Sequence, residues 1–160
     1  MCIDLTFAPV LDINRKNSSV IGDRAFHSKP KAISELGHEL VEGLRLAGVA
    51  SVGKHFPGHG GVSADTHLNE AIDGRDISEM INVDIRPFDA LNPYLAGIMP
   101  AHVTFPSVDA SPACFSSKWL REILRIKLGF KGLIFSDDLS MRAATLMGSA
   151  TLRSSKAFEA

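Results

Sequence analysis

Short apolar runs, each followed by a segment of helical periodicity, restrict the fold of this chain more than any other feature. The runs are IDLTFAPV (3–10), VASVG (49–53), AGIMPAHV (96–103) and GLIFS (132–136). They are continuous rather than alternating, as in strands covered on both faces. Between them, Ile33, Leu36, Leu40, Val41 and Leu44 fall on one helical face, with Pro30 at the start and Gly48 at the stop. A second helix is expected from Asp76, with Glu79 at capping-box spacing. A third follows Ser116 or Ser117 and ends at Gly129, a fourth covers 139–147, and the tail 152–160 is helical again.

Alternation of this kind predicts an α/β fold with a parallel sheet. An open doubly wound sheet and a (β/α) barrel both satisfy it. No Gly-x-Gly-x-x-Gly follows the first run, which weighs against a dinucleotide-binding sheet. The polar clusters instead follow the C-terminal ends of the strands, where a barrel enzyme carries its chemistry. A complete barrel takes about 250 residues, and this chain has 160. The expectation is one domain over 1–160: a TIM-like (β/α) barrel, incomplete, with about four strand–helix units. Such a sheet has two unpaired edges, through which it could self-associate.

Composition excludes some functions. The net charge is −1, with no basic stripe to draw nucleic acid, and no apolar run is long enough for a membrane span. Cys2 and Cys114 share no motif spacing, so two free thiols in a reducing, cytoplasmic compartment are expected. MCIDLTFAPVLDI has no basic leader and reads as a strand, not a signal peptide.

The densest chemistry lies in KHFPGHGGVSADTH, Lys54 to His67. Its glycines permit close approach of backbone to a ligand. His55, His59 and His67 with Asp65 could ligate zinc, giving a metal-dependent hydrolase, although the spacing matches no established zinc pattern. Asp65 and His67 could instead pair, the carboxylate fixing the imidazole as a proton donor and acceptor. Asp137 and Asp138 end the last strand. Adjacent strand residues face opposite ways, so one can point to the barrel mouth while the other caps the next helix. Arg24 suits bidentate contact with oxygen ligands. His102 either lines the same mouth or is buried and satisfied by a neighbour. Asp12 and Asn14 follow the first strand as weaker candidates. Ser63, Ser116 and Ser136 lack a nucleophile-elbow context.

KHFPGHG followed by DTH, then MPAHV and FSDDLSM, together with IDLTFAPVLDIN and IGDRAF, resembles the β-N-acetylglucosaminidases of glycoside hydrolase family 3, in order and over nearly the whole chain. The resemblance implies a TIM-like barrel that removes terminal N-acetylglucosamine with retention, in bacterial members from muropeptides released by cell-wall breakdown. It implies no metal and no organic cofactor. It makes Asp137 the nucleophile, Asp65 and His67 the acid/base dyad, and Arg24, Lys54 and His55 the residues that hold the sugar. The chain matches the middle of that barrel, so a truncated, non-catalytic remnant of such an enzyme is the alternative.

Overall fold

The computed structural model describes residues 3–16, 18, 20–63 and 71–160. Strands β1 (Leu5–Thr6), β2 (Ala50–Phe56), β4 (Gly97–Pro100) and β6 (Leu133–Ile134) form one sheet in the order β1-β2-β4-β6. Every pairing in it is parallel. The order follows the chain without reversing. A doubly wound sheet reverses direction at a switch point, whereas a barrel adds strands in sequence. A separate pair, β3 (Ala71–Ile72) and β5 (Val103–Thr104), is also parallel. The apolar runs do not announce it.

Helix α1 (Pro30–Leu46) begins on its proline and stops at Gly48, whose φ of +76° suits glycine. Its buried stripe is Ile33, Gly37 and Val41, while Leu36 and Leu40 remain exposed. The expected apolar face is therefore rotated. Gly37 is the reason: a Cβ there would stand 3.1 Å from Leu91 and 3.2 Å from Leu11, so the backbone itself packs on the core. Helix α2 (Ile77–Asn82) is capped by Asp76, whose side chain accepts the Ser78 N–H. Glu79 does not close the expected reciprocal bond and turns to Arg75. Helix α3 (Arg86–Leu91) buries Phe88 and Leu91.

Lys118–Lys127 is a helix, as expected, but with π winding, its C-terminal N–H of Leu128 bonding Ile123 five residues back. Trp119 and Leu124, also five apart, are both buried by it. Ser116 Oγ accepts from Trp119 N–H at its start. The fourth helix shrinks to α4 (Arg142–Thr145), because Asp138 first holds Ser140 and Met141 in a turn and Gly148 (φ +117°) ends the segment. Helix α5 (Ala150–Glu159) is capped by Ser149.

The core lies directly beneath the strand ends. Phe56, the last residue of β2, meets Phe88 edge-on at 5.4 Å and Trp119 at 5.9 Å, and Trp119 meets Phe105 at 5.3 Å. These four rings are essentially inaccessible. They give the residues just above them a rigid floor.

Candidate active site

Between Lys54 and Phe56 the β2–β4 register slips by one residue. A bulge re-aims side chains, and both consecutive residues here work towards Asp12, His55 by hydrogen bond and Lys54 by charge. Asp12 is fully buried. Its Oδ2 lies 2.7 Å from His55 Nδ1 and its Oδ1 accepts the His59 N–H at 2.6 Å. Burial alone would raise the Asp12 pKa, but His55 and the His59 N–H outweigh it and hold the carboxyl below its ordinary range. Asp12 therefore fixes both ends of the KHFPGH turn. The sequence ranked it low because its partners lie more than 40 positions away; its place at the end of the first strand was the available signal.

Lys54 is half-buried. Burial draws its ammonium below the usual range, as does the charge of Arg24, while Asp137 and Asp12 pull the other way. Arg24, Lys54 and Asp137 thus share one electrostatic neighbourhood across three different segments. Arg24 is exposed, and its Nε and Nη2 donate to the Val20 carbonyl at 3.1 and 2.7 Å. That pins its guanidinium to its own turn. His59 is buried, and burial lowers its pKa against the pull of Asp12.

The two adjacent aspartates differ in role, but neither ends a strand or caps a helix as expected: β6 stops at Ile134, and α4 starts from Met141 with no side-chain cap. Asp138 Oδ1 accepts the Ser140 N–H at 2.7 Å, a local turn bond. Asp137 is half-buried, accepts the Asp138 N–H at 2.8 Å, and its charge reaches Lys54, His102 and Cys114. His102 is buried, with Nδ1 2.6 Å from Cys114 Sγ and Nε2 3.0 Å from the Asp138 carbonyl. Of its two expected settings, the satisfied buried histidine is the one found. Asn14 Oδ1 accepts the Lys16 N–H, a turn role. Ser116 and Ser136 direct their hydroxyls to Asp109 and to the Asp137 carbonyl. The expected dyad, Asp65 and His67, lies outside the described residues. Among the described residues no group of three His, Cys, Asp or Glu side chains is close enough to hold a metal.

The glycine turn rests on an ion cluster that the sequence does not suggest. Arg75 donates from Nη2 to Asp73 at 2.6 Å and from Nη1 to Asp84 at 2.8 Å, and Arg15 reaches Asp84 at 2.9 Å. Asp73 and Asp84 are buried. A Cβ on Gly61 would lie 2.2 Å from Arg75 Nη2, on Gly58 2.8 Å from Asp84, and on Gly60 2.0 Å from the Ile13 carbonyl oxygen. The glycines are present for contact, since any side chain would lift the turn off its support.

Behind the Ser136–Leu139 turn is a cavity of ≈ 550 Å³ lined by Pro100, Cys114, Phe135, Ser136 and Phe158. Lys54, His55, Arg24 and Asp137 are not in its wall.

Over residues 1–160 the chain matches the glycosyl hydrolase family 3 N-terminal domain. It is 52% identical over 159 residues to a beta-hexosaminidase of Nitrosomonas eutropha, covering 99% of this chain and 46% of that relative. Native NagZ from Neisseria gonorrhoeae superposes with a TM-score of 0.90 at 47% identity, over 98% of this chain and 44% of that one. NagZ from the same organism in complex with N-trifluoroacetyl-D-glucosamine superposes equally well, with a TM-score of 0.90 at 47% identity, over 98% of this chain and 45% of that one. The chain spans about half the length of the curated relatives it matches, at 46% of the first and of the second. A parallel sheet in barrel order, polar groups gathered at its C-terminal ends and a match along the whole chain agree: the chain belongs to glycosyl hydrolase family 3, and its fold is an incomplete TIM-like barrel.

Proposed function

We propose that this chain carries the catalytic segment of a retaining β-N-acetylhexosaminidase that releases terminal β-linked N-acetylglucosamine. The observation that carries the reading is the shared neighbourhood of Asp137 with Lys54 and Arg24 at the strand ends. A carboxylate beside cationic groups is placed to serve as a nucleophile. In the first step an Asp137 oxygen bonds to the anomeric carbon as the glycosidic C–O bond breaks. The electron pair goes to the leaving oxygen, which takes a proton from His67, held in place by Asp65. In the second step His67 removes a proton from water, the water oxygen bonds to the anomeric carbon, and the bond to Asp137 breaks. Retaining glycosidases ordinarily use a second carboxyl group for the acid and base work. A histidine there avoids placing two anions side by side. Lys54, His55 and Arg24 hold the sugar.

The substrate class rests on the relatives, one named a beta-hexosaminidase and one bound to an N-acylated glucosamine analogue. Muropeptides from cell-wall recycling are the natural substrates on this reading. That role belongs in the cytoplasm, where the buried free thiol of Cys114 stays reduced. Hydrolysis of 4-nitrophenyl N-acetyl-β-D-glucosaminide tests the reading. Asp137→Ala should bring turnover to background, and His67→Ala should lower it about 10²–10⁴-fold. Unchanged turnover in Asp137→Ala would remove the assignment.

A second reading, a non-catalytic remnant, is favoured by the four-stranded sheet, since a complete barrel of this type closes with about eight strands. In this reading the β1 and β6 edges, with Ile3, Phe7 and Leu133 exposed beside them, associate with a second copy. Sizing by light scattering alongside the assay separates the two. A compact monomer that turns over substrate rejects the remnant, and an inactive oligomer supports it.

A further inference from the structure

We propose that His102 is a positioning residue for Asp137, acting through the carbonyl of Asp138. This rests on the reading of Asp137 as nucleophile.

The β4–β6 ladder supports the chain up to Phe135, whose N–H bonds the Ile98 carbonyl at 2.9 Å. Ser136, Asp137 and Asp138 then leave the ladder. The next tie from the β4 side is the His102 ring, which meets the Asp138 carbonyl at 3.0 Å. Asp137 is thus suspended between two anchors. The second one matters for its carboxylate, because Asp137 Oδ1 takes its hydrogen bond from the N–H of Asp138. The Asp138 carbonyl and N–H lie on adjacent peptide planes joined at one Cα, so anchoring the carbonyl limits how that Cα, and the N–H that aims the carboxylate, can move.

His102 is built for this task. A carbonyl only accepts, so Nε2 carries the proton and Nδ1 is bare. Nδ1 then accepts from the thiol of Cys114. Burial holds the imidazole below its ordinary pKa and pushes the thiol well up, so both stay neutral and the proton assignment holds. The ring stacks on Phe115 with centroids 5.7 Å apart and planes 19° from parallel. Cys114 and Phe115 lie on one 3₁₀ turn, and the Cys114 N–H bonds the Ala101 carbonyl, closing the turn onto the segment that carries His102. Every degree of freedom of the ring is spoken for, and none of these contacts reaches the sugar-holding side chains.

The test compares His102→Gln with His102→Asn in the whole chain. Glutamine places an amide N–H where Nε2 stood, and asparagine places one where Nδ1 stood. With 4-nitrophenyl N-acetyl-β-D-glucosaminide, His102→Asn should lose about 10- to 100-fold in kcat with KM little changed, as expected when a reacting group is misplaced by about 1 Å. His102→Gln should recover most of the loss. A readout independent of turnover is the ¹H–¹⁵N spectrum: Asp137 and Asp138 amides should shift in His102→Asn and return in His102→Gln. Equal kinetics in the two variants, or undisturbed Asp137 and Asp138 amides in both, would overturn the proposal. If the unsubstituted chain hydrolyses nothing while the amides respond as expected, the enzymatic reading fails and the positioning of Asp137 stands. Should either amide variant fail to fold, Cys114→Val, which removes the thiol donor and keeps the ring, is read by the same spectrum: displaced Asp137 and Asp138 amides support the proposal, unmoved ones overturn it.

Discussion

Asp137 and Asp138 are chemically identical neighbours with opposite surroundings, and substitution should separate them. Asp138→Ala removes the bond to Ser140 N–H and should cost about 1 kcal/mol of stability while leaving most of the turnover. Asp137→Ala should abolish turnover, and urea unfolding with the glycosidase assay reads both. Acid should destabilise the fold through His59 and His102, each held by burial below the ordinary imidazole value of 6.5. Above that value neither state binds the proton. Below it the unfolded chain takes up protons that the folded chain refuses, so stability falls by up to about 1.4 kcal/mol per pH unit for each histidine. Asp12 acts in the same direction further down: its stabilising contribution is present above its ordinary value of 3.8 and is lost as pH falls through its lower folded value. Urea unfolding free energies at about pH 7.5 and about pH 5.5 check the histidine part, and equal values would contradict it. That the two aspartates would differ was legible from their adjacency, although both lie beyond β6 and Asp138 holds a turn rather than capping α4. The hub role of Asp12 and the thiol partner of His102 were not, because both depend on contacts between segments distant in sequence.

The turn after β2 owes its shape to the element beneath it. Asp84 is fully buried and paired with two arginines, so Asp84→Ala leaves guanidinium charge without its partner. That should cost about 3–5 kcal/mol, read as a fall in the urea midpoint. A loss under about 1 kcal/mol would show that the cluster is solvated and does not carry the turn. Strands β2 and β4 were readable as apolar runs because they are buried in the middle of the sheet, and β1 and β6 as shorter parts of apolar runs at its edges, where Leu133 is exposed. The β3–β5 pair was not, since two residues per strand leave no periodicity to detect. The π winding of Lys118–Lys127 was also invisible, because the spacing of Trp119, Leu120 and Leu124 suits an α-helix as well.

The sheet as a whole carries polar residues after the C-terminal ends of strands that are separated by tens of residues. The strand order alone distinguishes this barrel topology from a doubly wound sheet. The proposed steps use only side-chain protons and carboxylate attack. Turnover should therefore survive exhaustive dialysis against EDTA; loss that zinc restores would favour the hydrolase built on His55, His59 and His67. The decisive experiment is covalent trapping with a 5-fluoro N-acetylglucosaminyl fluoride followed by peptide mass spectrometry. A single adduct on Asp137 is expected. An adduct on Asp138, or turnover with no adduct and inverted anomeric configuration by ¹H NMR, would contradict the assignment of Asp137 as nucleophile.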